Sequence, residues 1–182
     1  MNILKSELAG ALVIEPKVFG DARGYFMETW HQERYCLHTM EREFVQDNVS
    51  FSRRGILRGL HFQNPNSQAK LLQVFQGEIY DVGVDLRRSS PTFGRWHGLV
   101  LSSENRRQFY LPTGFAHGFA VLSETALVCY KCSTLYSPKD ELSLRWDDPE
   151  LAIEWPLKDP LLSERDAKAP RLRDLAPERL FP

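Results

Sequence analysis

Short segments in which apolar and polar side chains alternate dominate the chain, and turn sequences separate them. Successive side chains of a β-strand point to opposite faces, so alternation over about four to eight residues predicts a strand. Helical patterns are confined to 29–40 and to a short turn near 163–167. Many short strands at close spacing predict a mainly β fold, either a sandwich or a barrel. The predicted strands are 11–15, 44–48, 55–62, 71–76, 78–86, 97–101, 107–111, 120–122, 127–131 and 142–145.

Residues 79–86 alternate regularly, and their two predicted faces differ in character. One face is apolar (Tyr80, Val82, Val84 and Leu86), and the other carries Asp81, Gly83 and Asp85. The acidic face either points to solvent or lines the interior of a barrel that binds a substrate. An ionised carboxylate in such an interior needs a partner, because burying it unpaired is strongly destabilising. We expect Lys70 to face the acidic side across a hairpin at Gly77.

The composition fits one folded domain. The chain has 182 residues, of which 42% are hydrophobic, enough for a substantial core. We predict a single domain spanning 1–182, with the segment 147–182 wrapping the outside of the barrel. A net charge of −1 without a long basic run argues against bulk binding to nucleic acid or to a membrane surface. No apolar stretch approaches the ~20 residues of a membrane span, the N-terminus does not read as a signal peptide, and three cysteines fit the cytoplasm.

Two histidines occur in distinctive sequence contexts. His61 lies in RGLHFQ (58–63), and His117 lies in LPTGFAHGF (111–119). Histidine titrates near neutral pH and also binds metals, so both contexts indicate either proton transfer or a metal site. Metal-dependent cupin barrels resemble this layout, but their first motif carries a second histidine. Here Phe62 and Gln63 follow His61, which leaves too few ligands, so we expect proton-transfer chemistry and no metal.

Longer motifs resemble the dTDP-4-dehydrorhamnose 3,5-epimerase family, in order and at the family's spacing between about 13 and 170. The resemblance implies a cupin-like antiparallel β-barrel, a jelly roll, with a few short helices. It further implies a homodimer that uses no cofactor and acts on a dTDP-4-keto-6-deoxyhexose. The motifs are FGDARG (19–24), QDN (46–48), LRGLHFQ (57–63), AKL (69–71), DVGVDLR (81–87), SPTFG (90–94), GFAHGF (114–119) and LSERD (162–166).

The resemblance also implies a reaction and its catalytic residues. The family inverts C3 and C5 of dTDP-4-dehydro-6-deoxy-D-glucose, next to the C4 ketone, to give dTDP-4-dehydro-L-rhamnose. His61 corresponds to the general base, and Asp166 to the carboxylate that orients it. Tyr130 corresponds to the acid on the opposite face. Lys70 corresponds to the cation that stabilises charge on O4.

A larger set corresponds to the family's substrate-binding positions. Arg58 is expected near the pyrophosphate, because a guanidinium can bind two oxygens at once, and Tyr136 is expected to stack on the thymine. The sequence departs from the common pattern at Arg165, where many members carry lysine, and along 132–135. The whole set is Arg23, Glu28, Gln46, Asp47, Asn48, Arg58, His117, Tyr136, Glu141 and Arg165.

Two alternatives remain open from the sequence. The first is a relative that inverts only C3 or only C5, or a ketoisomerase in another dTDP-deoxysugar pathway, which would use the same kind of base and acid. The second is a non-catalytic barrel that binds a sugar nucleotide. Binding alone needs no acid facing a base, so the joint presence of His61 and Tyr130 favours an enzyme.

Overall fold

A computed structural model describes residues 1–39 and 43–182. The strands are β1 (Asn2–Lys5), β2 (Leu12–Glu15), β3 (Val18–Asp21), β4 (Gly24–Met27), β5 (Gln46–Arg53), β6 (Leu57–Gln63), β7 (Lys70–Gln76), β8 (Glu78–Asp85), β9 (Trp96–Ser102), β10 (Gln108–Leu111), β11 (Phe115–Val121), β12 (Thr125–Cys132) and β13 (Glu141–Ser143). The helices are α1 (Gln32–Tyr35) and α2 (Glu164–Ala167), and two 3-10 turns follow at Leu172–Asp174 and Pro177–Arg179.

The strands form two large antiparallel sheets and a small hairpin. One sheet has the order β1-β2-β10-β7-β12-β5, the other has the order β13-β6-β11-β8-β9, and β3 pairs with β4. Apolar side chains from both sheets, including Leu72, Ile79, Phe109 and Val128, form a buried cluster between them. The architecture confirms the predicted mainly β fold, a cupin-like jelly-roll barrel with few and short helices.

The two faces of β8 have different surroundings. Asp81 and Asp85 are fully buried, so the acidic face lines the interior and does not point to solvent. The apolar face belongs to a second cluster, to which the C-terminal segment contributes Trp155, Leu172 and Phe181. The C-terminal segment therefore covers the apolar face of β8, while the acidic face lines the barrel interior. Both faces are buried although their side chains differ in polarity.

The predicted hairpin at Gly77 is wrong. β7 and β8 follow each other through Gly77, but β7 pairs with β10 and β12, whereas β8 pairs with β11 and β9. The chain therefore crosses from one sheet to the other at this turn. Lys70 still faces Asp81, but from the opposite sheet rather than from a paired strand.

The helix predicted over 29–40 is much shorter in the structure. Of the described residues 29–39, only Gln32–Tyr35 are helical; His31 provides no side-chain cap, and Tyr35 is the one buried residue of the helix. A short helix with so little buried surface gains little from packing. Residue 40 lies outside the described residues. Within 1–39 and 43–182, no helix is long and apolar enough to cross a bilayer.

A close approach of two backbones aligns the histidine-bearing strands. His61 on β6 pairs directly with His117 on β11, and the register shifts immediately after this pair. A Cβ atom on Gly118 would lie 2.7 Å from the carbonyl oxygen of Arg58 and 3.1 Å from Cα of Gly59. Only a residue without a side chain fits there, so glycine at 118 is a condition for bringing the two imidazoles together.

We expect Gly118→Ala to lower the free energy of unfolding by about 1–3 kcal/mol, because backbone atoms would have to move to admit the methyl group. Chemical denaturation measures this difference. Gly20→Ala is the matched control, since its Cβ would lie 3.7 Å from the nearest atom, the carbonyl oxygen of Gly24. That control should stay within about 0.5 kcal/mol of the wild type. Equal stability of the two variants would contradict the steric argument.

Candidate active site

Three adjoining cavities meet at His61. The largest, about 480 Å³, is bordered by Arg58, Arg165 and Asp166. The smallest, about 140 Å³, lies deeper in the barrel and contacts Lys70, His117 and Tyr130. The third, about 280 Å³, is lined by Gln46, Asn48, His61, Phe62, Gln63, Gln68, Lys70, Tyr130, Tyr136 and Glu141. We call the three together the barrel cavity.

His61 and Asp166 form a close pair at the wall of this cavity. Nε2 of His61 lies 2.6 Å from Oδ1 of Asp166, although the two residues are 105 positions apart. Burial acts to raise the pKa of Asp166, but hydrogen bonds from His61 and Ser163 outweigh it and hold the pKa below the usual range. Asp166 is therefore ionised and accepts the Nε2 proton, which leaves Nδ1 of His61 as the available base.

Asp166 lies on the short helix α2 of the C-terminal segment, and the N-terminus of this helix is capped. Ser163 is the N-cap of α2, and its Oγ accepts a hydrogen bond of 3.1 Å from the backbone N–H of Asp166. Just before the helix, Leu161 exchanges backbone hydrogen bonds with Gly55 and Leu57 at the start of β6. The segment is thus fixed to the strand that carries His61, and a serine followed three residues later by an acid is a recognised helix-start signal.

Tyr130 and Lys70 face His61 from the other sheet. Tyr130 lies on β12 and Lys70 on the neighbouring β7, with Nζ of Lys70 5.9 Å from the centre of the tyrosine ring. Burial raises the pKa of Tyr130, which keeps its hydroxyl protonated. Burial lowers the pKa of Lys70, while the charge of Asp81 acts in the opposite direction. The cavity therefore has a base on one wall and a proton donor with a cation on the other.

A second histidine–carboxylate pair lies beside the first. Nε2 of His117 is 2.9 Å from Oδ2 of Asp81, and both side chains are buried. Burial lowers the pKa of His117 even though Asp81 acts to raise it, which favours the neutral imidazole. Oδ1 of Asp81 has no hydrogen-bond partner among the residues that the structure describes. This pair places a carboxylate deep in the barrel, opposite Lys70.

Polar side chains organise the outer part of the cavity. The hydroxyl of Tyr136 donates to Glu141 at 2.6 Å, and Arg165 also binds this carboxylate. Burial acts to raise the pKa of Glu141, but these two hydrogen bonds outweigh it and lower the pKa. Gln46 accepts from the backbone N–H of Tyr136 at 2.8 Å.

Two further predicted binding residues are held by neighbouring polar groups on the cavity wall. Oδ1 of Asn48 accepts from Gln46 at 2.9 Å. Arg58 donates from Nε to Oγ of Ser52 at 2.9 Å. Both side chains therefore keep defined orientations toward the barrel cavity.

Three predicted binding residues lie away from the barrel cavity in the described part of this chain. Arg23 is 90% exposed on the β3–β4 hairpin, where it pairs with Asp21. Glu28 pairs with Arg34. Asp47 pairs with Lys131, because alternation along β5 turns it to the face opposite Gln46 and Asn48. The structure does not bring these three together with the other predicted site residues.

Some residues that line the cavity are absent from the sequence prediction. Gln63 lies two residues after His61 on β6, so strand alternation places both on one side, and this spacing was the available signal. Ser50 and Phe119 likewise follow Asn48 on β5 and His117 on β11 by two residues, whereas Gln68 lies outside the strands and has no comparable signal. In the described part of the chain, no three His, Cys, Asp or Glu side chains come together as a metal ion would require.

Comparisons with known proteins agree with this geometry. The family model for dTDP-4-dehydrorhamnose 3,5-epimerase matches residues 5–174. A dTDP-4-dehydrorhamnose 3,5-epimerase from Methanothermobacter thermautotrophicus is 51% identical over 176 residues, which is 95% of this chain and 95% of that protein.

Solved structures are similar over comparable lengths. A dTDP-6-deoxy-D-glucose 3,5-epimerase from Legionella pneumophila, in complex with dTDP-4-keto-L-rhamnose, has a TM-score of 0.95 and 48% identity, covering 99% of this chain and 97% of that one. A 3'-monoepimerase from Streptomyces bikiniensis, in complex with dTDP-quinovose, has a TM-score of 0.86 and 38% identity, covering 92% of this chain and 86% of that one. The chain belongs to the dTDP-4-dehydrorhamnose 3,5-epimerase family.

Proposed function

We propose that the protein is an isomerase that inverts C3 and C5 of dTDP-4-dehydro-6-deoxy-D-glucose to give dTDP-4-dehydro-L-rhamnose. One observation carries the proposal: the His61–Asp166 pair on one wall of the barrel cavity faces Tyr130 and Lys70 on the other. Family membership and the ligand of the Legionella pneumophila neighbour support the choice of substrate.

The geometry suits proton transfer next to a ketone. The hydrogens on C3 and C5 both flank the C4 carbonyl, so removing either one leaves an enolate whose charge collects on O4. His61 takes the proton, and Asp166 stabilises the imidazolium that forms. Lys70 stabilises the charge on O4 inside the barrel. Tyr130 then returns a proton from the opposite face, which inverts the carbon, and no electron transfer is required.

The remaining residues are assigned to binding the sugar nucleotide. Arg58 and Arg165 border the same cavity and offer guanidinium groups for the pyrophosphate. Tyr136 lies at the outer end of the cavity, where its half-exposed ring can stack on the thymine. Gln46, Asn48, Glu141 and His117 complete this set, and we expect no metal or other cofactor to take part.

A monoepimerase is the alternative with direct support. The Streptomyces bikiniensis neighbour is a 3'-monoepimerase with a closely similar fold. Inverting one carbon requires a base and an acid on opposite walls, and inverting two carbons has the same requirement. The geometry of His61 and Tyr130 therefore fits both reactions. The distinction rests on which carbon exchanges its proton.

We expect the protein, incubated with dTDP-4-dehydro-6-deoxy-D-glucose in deuterated water, to introduce deuterium at both C3 and C5 while it forms dTDP-4-dehydro-L-rhamnose. NMR of the product locates the label. Deuterium at C3 alone would establish the monoepimerase instead. A protein that binds the nucleotide but exchanges neither proton would be the non-catalytic barrel.

We expect Tyr130→Phe to separate proton exchange from inversion. His61 and Lys70 remain, so deuterium should still enter the substrate. Inversion should fall by about 10²–10⁴-fold, the usual effect of losing a positioned acid. His61→Asn is the companion variant and should abolish both exchange and inversion, with the affinity for dTDP within a few-fold of the wild type. Inversion by Tyr130→Phe at the wild-type rate would show that another donor faces His61, with Tyr136 the next candidate.

We further propose that the protein acts as a homodimer. The β3–β4 hairpin exposes Phe19, Tyr25 and Phe26, and large exposed apolar side chains on a protein surface commonly mark an interface. Arg23 lies on the same hairpin, away from the barrel cavity of its own chain. A second copy packed on this hairpin would bury the aromatic side chains. It would also place Arg23 near the barrel cavity of that second copy, which would explain why a residue outside its own chain's cavity corresponds to a binding position.

Two remaining features of the predicted protein are also proposals. Residues 1–182 form one domain, which is supported by the packing of Leu172, Leu180 and Phe181 against the outer face of the β8 sheet. The protein acts in the cytoplasm, which is supported by Cys129 and Cys132, which form no disulfide, because reduced thiols are typical of a reducing compartment.

We expect light scattering to show a dimer at micromolar concentration for the wild type and a monomer for Phe26→Glu, because a buried unpaired carboxylate would oppose association. The affinity for dTDP should fall together with the dimer if Arg23 serves the partner's cavity. Leu37→Glu, which also changes a highly exposed apolar residue, is the control and should remain dimeric. A monomeric wild type would contradict the proposed dimer.

A further inference from the structure

The segment 133–140, between β12 and β13, carries Tyr136 over the barrel cavity without forming a strand or a helix. We call it the tyrosine loop. Backbone hydrogen bonds hold its two ends, at 133 and 140, and side chains from elsewhere position its middle, around Tyr136. Three glutamines contact its backbone. Gln68 donates to the carbonyl of Thr134 at 2.7 Å, Gln46 accepts from the N–H of Tyr136, and Gln63 makes the most extensive contact.

Gln63 holds the tyrosine loop on both sides of Tyr136. Its Oε1 accepts from the N–H of Ser137 at 2.9 Å, and its Nε2 lies 3.4 Å from the carbonyl of Leu135. The same Nε2 donates at 2.8 Å to the carbonyl of Asn66, in the loop that follows β6. One amide group therefore joins two loops and fixes the residues immediately before and after the tyrosine.

The hydrogen-bonding capacity of Gln63 is committed to these backbone groups. A glutamine amide has two N–H donors, and the carbonyls of Asn66 and Leu135 take both. The residue is 3% exposed, so a lost partner would be left buried and unsatisfied rather than hydrated. Gln63 cannot donate to a substrate without releasing a loop, although it lies on the same strand and the same side as His61.

We propose that Gln63 is a positioning residue that fixes the tyrosine loop, holds the ring of Tyr136 over the barrel cavity, and thereby sets the affinity for the nucleotide base. The inference rests on the proposed function, in which Tyr136 stacks on the thymine. Gln63 takes no part in proton transfer. It acts on the ring through the backbone of its two neighbours, while the carboxylate of Glu141 holds the phenol oxygen from the other end.

The test compares two substitutions of this side chain with a matched control. Gln63→Met keeps the length and removes all of its hydrogen bonds, and Gln63→Glu keeps the acceptor for Ser137 but loses both donors. Gln76→Met makes the same chemical change at an exposed glutamine, whose Nε2 donates to Oγ1 of Thr125. Calorimetry with dTDP measures affinity separately from turnover.

We expect the Kd for dTDP to rise about 10-fold in Gln63→Met, as the loss of two to three hydrogen bonds implies, and at least as much in Gln63→Glu, whose carboxylate would lie buried against the carbonyl oxygens of Asn66 and Leu135. The KM for the sugar nucleotide should rise in parallel, while kcat stays within about two-fold because His61, Tyr130 and Lys70 are untouched. The affinity for inorganic pyrophosphate should change less than that for dTDP, since the side chains assigned to the pyrophosphate are Arg58 and Arg165 rather than Tyr136. Gln76→Met should match the wild type in all of these measurements.

A double-mutant cycle identifies the route of the effect. If Gln63 acts through the ring, then Gln63→Met in a Tyr136→Ala background should weaken dTDP binding by less than about two-fold further. Full additivity would overturn the proposal, and so would an unchanged Kd in Gln63→Met or a fall in kcat at unchanged Kd. If Gln63→Met does not fold, Gln63→Glu is judged by the same criteria.

These outcomes separate the inference from the proposed function. A wild type that binds dTDP but neither exchanges nor inverts would refute the epimerase, and the affinities would still decide the role of Gln63. A wild type that does not bind dTDP would overturn both.

Discussion

The burial of charge between two sheets is the constraint on which this structure depends. Asp81 and Asp85 are fully buried, and Asp166 nearly so. An ionised carboxylate in such a position is tolerated only with a close partner, because its desolvation is otherwise uncompensated. Each of the three has one: His117 for Asp81, Arg87 for Asp85, and His61 for Asp166. The strand registers and the C-terminal segment have to satisfy these pairings as well as the apolar core.

The two sheets divide the proposed chemistry between them. β6 and β11 place both histidines on one wall, and β7 and β12 place Lys70 and Tyr130 on the other. Inversion of a carbon requires a base and an acid on opposite faces of the sugar ring. A single strand cannot provide this, because its inward side chains all approach from one side. A barrel of two facing sheets provides it directly, and the turn at Gly77 matters because it moves the chain from one wall to the other.

Local sequence predicted the parts of the molecule that alternate and failed where contacts are distant or surfaces are exposed. The regular pattern along 79–86 indicated a strand with an acidic face, and that face proved to be interior. Strands β1, β3 and β4 were not predicted, because their side chains are mostly exposed and carry little hydrophobic alternation. The closeness of His61 to Asp166 came only from the family resemblance, since no pattern in the sequence connects positions so far apart. Asp47 was included with its neighbours in QDN, yet alternation along β5 turns it away from them.

The electrostatics of the barrel cavity suit a reaction that creates a negative charge and then removes it. Burial lowers the pKa of Lys70, so its proton is held less tightly than in water, while Asp81 helps to keep the ammonium charged. A negative charge on O4 would act to raise the pKa of Lys70, as the charge of Asp81 does. Burial raises the pKa of Tyr130, so the phenol stays protonated until a strongly basic enolate carbon faces it. Because His117 is neutral, it does not cancel the negative charge of the neighbouring Asp81. That charge can therefore stabilise the ammonium of Lys70. In the proposed reaction the second histidine–carboxylate pair thus acts on the cation, and the first supplies the base.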